Sequence, residues 1–361
     1  MDYSNEQVAR IWLQCAPMGA WNRLREWRKH LGGPQQVWDV FSPDFYSLLG
    51  EAAYARMADS RARQCGNILA QLEALNARAL FLGEEDYPVA LSRIPDPPDV
   101  LFVQGTLPGE GPAMAVVGAR SATRYGTAQA RRLGRELSQA GVTVVSGLAR
   151  GIDASAHLGA LEGSSPTVAV LGSGLGCLYP PENKDLAQRI LDQGGAIISE
   201  LAPDAEPHPY HFPVRNRIIS GLSAGVLLIE ARLKSGTHST VNHAIDQGRE
   251  VFALPGNVDA PGSELPLQLL RDGAVICTCG QDILSFMGWG TIKTAQSTFL
   301  PEEKEDDPIL RALRLEEKTL EELIEETGIP APQLSAQLTI LEISGKIERR
   351  AGRAYARCRI G

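Results

Sequence analysis

The stretch from residue 113 to 161, AMAVVGARSATRYGTAQARRLGRELSQAGVTVVSGLARGIDASAHLGAL, confines the chain to very few folds. An apolar run of strand length, Ala113 to Val117, stops at Gly118. It passes through a polar loop into a helical pattern with Ala130, Leu133 and Leu137 on one face. A second apolar run, Val142 to Val145, ends in SGLARGID and a second helical pattern. Parallel strands need such a crossover, so the spacing predicts a βαβ unit. Both loops then leave the carboxyl ends of their strands, where open α/β sheets bind ligands.

The loops indicate an anionic ligand. Gly118 removes a side chain and lets backbone amides approach a bound group, while Arg120 adds a planar, permanently charged donor fork suited to phosphate. Ser146, Gly147, Arg150 and Gly151 repeat the device after the second strand, so two glycine-arginine loops form a basic floor. Asp153 stands where a helix N-cap is expected. Asp153 and His157 lie four residues apart, and they read as a cap and a packed histidine rather than as an acid-base pair.

Further strands are expected at Thr167 to Leu171, Ala196 to Ser199, Val226 to Ile229, Val251 to Leu254 and Ala274 to Ile276, alternating with helices. The fold class is α/β: an extended Rossmann-like, doubly wound, mainly parallel sheet over residues 79–288. The glycines of GSGLGC suggest a dinucleotide loop, but Cys177 stands where the last glycine belongs and prolines follow in place of a helix. Residues 1–78 read as a small helical domain, with helices from Val8, over Trp21 to Leu31, Val37 to Leu49 and Ala52 to Leu75. Residues 289–307 read as an acidic linker. Residues 308–361 give three helical patterns and an alternating basic tail with Arg349, Arg350 and Arg353, a winged-helix pattern. Its third helix, QLSAQLTILEIS, has no lysine or arginine, which favours protein contact over base reading.

A formal net charge of -8 argues against a nucleic-acid partner until it is located: residues 301–326 hold eleven acids and four bases. The rest is near neutral, which leaves room for a local basic groove. Six scattered cysteines show no metal-binding or disulfide spacing, and no apolar run approaches membrane-spanning length. A cytoplasmic protein without metal or cofactor is expected.

The stretch PHPYHFPVRNRIISG, residues 207 to 221, gathers Phe212, Arg215, Asn216 and Arg217 where a loop enters a helix. An aromatic face beside guanidiniums suits unstacked bases on a phosphate backbone. The residues alone equally allow Phe212 as core and the arginines as a salt-bridged helix start. A further helix start carries Lys234, Ser235, Gly236, Thr237 and Thr240, a supply of charge, hydroxyls and amides.

In order and spacing, YPVALSRIPDPPDVLFVQG, VVGARSATRYG, VVSGLARGIDASAH, LYPPENKDL, FPVRNRIISGLS, SGTHST and FALPG resemble the DNA-processing protein A family (DprA/Smf) over residues 80 to 285. The resemblance implies an extended Rossmann fold that binds single-stranded DNA in a basic pocket, usually as a homodimer through that fold. It further implies protection of incoming DNA during natural transformation and loading of RecA recombinase, without chemistry. Arg120 and Lys184 would be phosphate ligands, Phe212 the base-stacking residue with Arg215 and Arg217 beside it, and the SGTHST loop part of the pocket wall. Leu265 and Leu267 depart from the family pattern and imply a less polar wall; His238 departs in the SGTHST loop.

Two other readings stay open on the residues. One is a nucleoside-monophosphate hydrolase of a related Rossmann-like fold, with Glu230 or Asp153 at the scissile bond. The other is a transcription regulator acting through the winged helix.

Overall fold

The structure, a computed structural model, describes residues 3–290, 307–313, 317–343, 346–349 and 354–357. The chain forms two compact units, Met1–Ile292 and Lys293–Gly361. Of the expected linker 289–307, residues 291–306 lie outside the described residues.

Among the described residues the first unit is built on nine strands: β1 Ala77–Phe81, β2 Val100–Gly105, β3 Ala113–Val117, β4 Thr143–Ser146, β5 Thr167–Val170, β6 Ala196–Ser199, β7 Gly225–Leu228, β8 Glu250–Ala253 and β9 Val275–Ile276. Their order is β1-β2-β6-β5-β4-β3-β7-β8-β9. From β6 through β9 every pairing is parallel, and β1 and β2 add an antiparallel edge. The order reverses at β3, whose neighbours are β4 and β7, so this is the doubly wound arrangement with its switch point at β3.

The strand sequences explain the layering. TVVS, TVAV, AIIS and GVLL are buried at every position, as expected of strands covered on both faces. Side chains alternate between two cores: Ala115, Val117, Val145 and Leu228 belong to one, and Met114, Val116, Val144 and Leu227 to the other. Helix Arg124–Gln139 follows β3, and His211–Gly221 lies between β6 and β7.

The amino-terminal helices are Asn5–Gln14, Trp21–Leu31, Pro34–Val40, Tyr46–Leu49, Glu51–Ala62 and Gly66–Ala74. Two helices expected to be long are divided. Ser42 and Pro43 interrupt the first, and Gln64 and Cys65, with φ of 49° and 56°, break the second. Trp12, Phe45 and Leu72 share a hydrophobic cluster with Phe81 of β1 and Phe102 of β2, so the boundary drawn at residue 78 crosses a continuous core. Among the described residues no helix is long and apolar enough to cross a membrane.

The second unit contains helices Pro308–Ala312, Leu320–Thr327 and Ala331–Ile343 and a small antiparallel sheet of Lys318–Thr319, Ala354–Arg357 and Ile347–Arg349. Thr319 and Glu322 form a capping box at the second helix. Leu323, Leu334, Leu338, Leu341 and Ile347 make the core of this winged-helix domain. Arg350 and Arg353 of the expected basic wing lie outside the described residues.

Candidate nucleic-acid interface

The loops after β3, β4 and β5 and the start of helix His211–Gly221 meet at one rim of the sheet. They enclose a pocket lined by Arg120, Gly147, Ala149, Arg150, Tyr179, Pro180, Phe212 and Arg215. Five of these, Arg120, Gly147, Arg150, Phe212 and Arg215, are residues that the sequence singles out. Tyr179 is missed by that reading, although LYPPENK displays it beside the prolines.

Phe212 is the centre of the pocket. The Arg120 guanidinium lies over its ring at 4.9 Å from the centroid, and Tyr179 approaches from another side at 5.9 Å and 49°. Gly172 is required here, because a Cβ would come within 2.6 Å of the Phe212 ring. The glycines of GSGLGC thus make room for an aromatic side chain and for a close chain crossing at Ala202 and Pro203.

Arg215 forms the floor. It is 6% exposed, donates from Nη1 to the carbonyls of Gly147 (3.0 Å) and Val170, and donates from Nε to Asn216 Oδ1 at 3.2 Å. These bonds tie the helix to the ends of β4 and β5. Burial draws the guanidinium down to about 10, opposed by the nearby Asp153 carboxylate. Asp153 Oδ2 accepts from the Gly147 and Ala149 amides at 3.1 and 3.4 Å; burial pushes its carboxyl up, and Arg215 pulls it down. A Cβ at Gly147 would sit 2.7 Å from Arg215 Nη2 and 2.8 Å from Asp153 Oδ2, so this glycine makes room for both side chains.

Charge at the rim is unevenly committed. Arg120, Lys184 and Lys234 are exposed and, among the described residues, carry no ion pair. Arg150 is exposed but paired with Glu182. Lys184 opens helix Lys184–Asp192 and, like Lys234, stands outside the pocket lining. On the far side of the β3 loop, the Thr237 hydroxyl donates to the Gly118 carbonyl at 3.2 Å, Gly236 is exposed, and Ser235 Oγ is buried without a partner. His238 is exposed.

Several expectations need correction. Arg217 does not stand beside Phe212 as an anion ligand. It is 5% exposed and forms two bonds to Glu200, Nη1 to Oε2 at 2.7 Å and Nη2 to Oε1 at 2.5 Å, while Nε donates to the Asp96 carbonyl at 2.9 Å. A guanidinium so engaged has no donor edge left for phosphate. Ser146 is fully buried and its hydroxyl donates to the Val116 carbonyl at 2.6 Å; Thr240 is buried as well. Gly118 is fixed by packing, since a Cβ would lie 2.6 Å from Ile152 Cγ1 and 2.8 Å from the Glu230 carbonyl. Leu265 fills the core beneath β7 and β8, and neither it nor Leu267 lines the pocket.

The two carboxylates offered as hydrolytic groups both hold loops in place. Glu230 accepts from the Thr123 amide at 2.9 Å and its hydroxyl at 2.5 Å, against Gly126 at the start of helix Arg124–Gln139. Asp153 is bound as described above. His157 is fully buried with Nδ1 2.8 Å from Thr167 Oγ1, and burial draws its imidazole down to about 3, so it is a neutral packed histidine. Among the described residues no three His, Cys, Asp or Glu side chains are grouped to hold a metal ion.

Known proteins share this architecture. The family model for DNA recombination-mediator protein A matches residues 78–288, and that for the DprA winged helix domain matches residues 293–353. Protein Smf of Escherichia coli is 40% identical over 300 residues, which span 81% of this chain and 80% of that one. The X-ray structure of DNA processing protein A from Streptococcus pneumoniae superposes with a TM-score of 0.61 at 30% identity, covering 79% of this chain and 98% of that one. The Helicobacter pylori protein, whose structure was described for its single-stranded DNA binding mode, gives a TM-score of 0.52 at 30% identity, covering 58% of this chain and 95% of that one. With its sheet matched from the antiparallel edge to the last helix and its winged helix matched separately, the chain belongs to the DNA processing protein A (DprA/Smf) family.

Proposed function

We propose that the rim around Phe212 binds single-stranded DNA without cleaving it, and that the protein acts in the cytoplasm during DNA uptake. The observation that carries this reading is the Arg120 guanidinium over the Phe212 ring at 4.9 Å, in a pocket that Tyr179 also walls. A cation held over a half-buried aromatic ring at the pocket offers a stacking partner and a phosphate partner within one nucleotide's reach. That combination tolerates any sequence but requires unpaired bases. The Helicobacter pylori relative, described for the same class of ligand, supports the reading.

On this proposal Arg120, Lys184 and Lys234 neutralise phosphates, Phe212 stacks a base, and Arg215 and Asn216 hold the stacking helix in place. The Gly147 loop completes the wall, and the Ser235–Thr237 turn continues the surface on the far side of the β3 loop. The protein then shields the incoming strand in natural transformation and loads RecA onto it, as a homodimer through the Rossmann domain.

The test compares single-stranded and duplex oligonucleotides at two salt concentrations for the parent, Arg120→Ala and Phe212→Ala. The parent favours the single strand, and Phe212→Ala weakens it by about 1–3 kcal/mol, the value of one stacked base. Parent-like binding by both variants would remove the pocket from the function. For the later steps, sedimentation at twice the chain mass reads the dimer. RecA assembly on the strand, accelerated by the parent and not by Arg120→Ala, reads the loading.

A further inference from the structure

We propose that His208 and Tyr210 form a second stacking subsite, which takes the base next to the one on Phe212. The inference deepens the single-strand reading above and rests on it.

Residues 204–210 run along the surface just before helix His211–Gly221. Two aromatic groups meet there. In the first, the Tyr210 ring lies 4.2 Å from that of His208 and 4.5 Å from that of His211, and His208 and His211 are 5.8 Å apart. In the second, Phe212 meets Tyr179. Residues 211 and 212 are consecutive, so the groups are joined without a gap in the chain.

The first group is built with an inner and an outer side. His211 is 8% exposed and its amide donates to the His208 carbonyl at 2.9 Å, closing a turn that sets the rings against one another. Tyr210, by contrast, is 48% exposed and His208 is exposed too. Pro207 and Pro209 flank His208 and restrict its backbone, so little conformational freedom remains to be lost when a base settles on the rings. Burying Tyr210 in the protein would hide this face; the structure leaves it outward, two residues before Phe212 of the pocket.

Charge selects which part of a nucleotide belongs here. Asp204 is paired with Arg56 at 3.0 Å, and Glu206 is exposed with no ion pair among the described residues. A carboxylate beside the rings repels phosphate. The base therefore faces Tyr210 and the backbone runs on the side of Arg120 and Lys184. A duplex keeps its bases stacked on one another and cannot use such a face, so the subsite adds to discrimination for single strands.

The experiment uses the full chain, with Tyr210→Ala, the conservative Tyr210→Phe, and Phe212→Ala as reference. Each is titrated by anisotropy with oligothymidylates of increasing length and with a duplex. Because Tyr210 is exposed, its variants should unfold at the parent's denaturant midpoint. Tyr210→Ala is expected to weaken long single strands about fivefold or more, to leave the shortest binding oligomers and the duplex unchanged, and to be rescued by Tyr210→Phe. Parent-like binding at every length, while Phe212→Ala still loses affinity, would overturn the subsite and leave the main reading standing. An equal loss at every length would also overturn it, since Tyr210 would then act only through Phe212. If Phe212→Ala too binds as the parent does, the main reading falls, and Tyr210 is left as a contact for protein.

Discussion

Two clusters of arginine flank the same helix, His211–Gly221, and they differ in what faces them. At the sheet rim, Arg120 meets an aromatic ring and Arg215 meets backbone carbonyls, with the buried Asp153 carboxylate close enough to act on its charge. At the junction with the amino-terminal helices, Arg10 and Arg28 converge on Asp99, Arg25 and Arg217 on Asp96, and Arg217 on Glu200 as well. Every arginine of the junction is ion-paired; at the rim Arg120 carries no ion pair among the described residues. Arg215 and Arg217 are two residues apart and point to opposite sides of the helix, so one motif, RNR, supplies both a pocket floor and an internal clamp. Composition alone counts six charges of the same kind; only their partners separate binding from structure.

The largest effect that would break this contrast comes from Arg217→Ala. Removing one member of a buried pair leaves Glu200, 5% exposed, without its partner, which typically costs about 3–5 kcal/mol. Urea unfolding should show that loss, and the folded fraction should still bind single strands. A variant as stable as the parent that has lost binding would move Arg217 back to the rim.

Arg120→Ala should do the reverse. Its guanidinium is exposed and, among the described residues, bonded to no carboxylate, so stability should stay within about 0.5 kcal/mol of the parent. Affinity for single strands should fall, and the slope of its logarithm against the logarithm of salt should become shallower by about 0.7, the contribution of one neutralised phosphate. An unchanged slope would mean that Arg120 touches the ring and never the backbone of the ligand.

The sequence shows the sheet clearly and the site only in part, and the reason is the same in both cases. Runs such as TVVS and AIIS are apolar because both faces are covered, a local pattern with one solution. The β1–β2 edge and the placement of β9 depend on pairing between distant segments, which no local period records. In the site, Arg120 and Phe212 announce themselves because a turn glycine or a helix start sits beside them. Ser146 and Gly147 stand in the same SGLAR loop, yet one hydroxyl bonds a neighbouring strand and the glycine makes room for Arg215 and Asp153. Arg217 misleads because its carboxylate partners, Asp96 and Glu200, are 121 and 17 residues away in the chain. Tyr179 escapes because an aromatic residue between apolar and proline positions reads as packing.

The smallest effect is expected where the two clusters would be coupled. Asp96 accepts Arg25 Nη1 at 2.5 Å and stands 3.3 Å from Arg217 Nε, so it links an amino-terminal helix to the helix that carries Phe212. Arg25 and Asp96 are both nearly half exposed, 44% and 46%, and water screens such a pair to about 0–1 kcal/mol. Arg25→Ala should therefore change stability by less than about 1 kcal/mol, and less still at high salt. Arg217 retains Glu200 in that variant, so the stacking helix keeps its anchor and single-strand affinity should match the parent. If affinity falls while stability does not, the junction transmits the position of the amino-terminal helices to Phe212, and the two clusters work as one device.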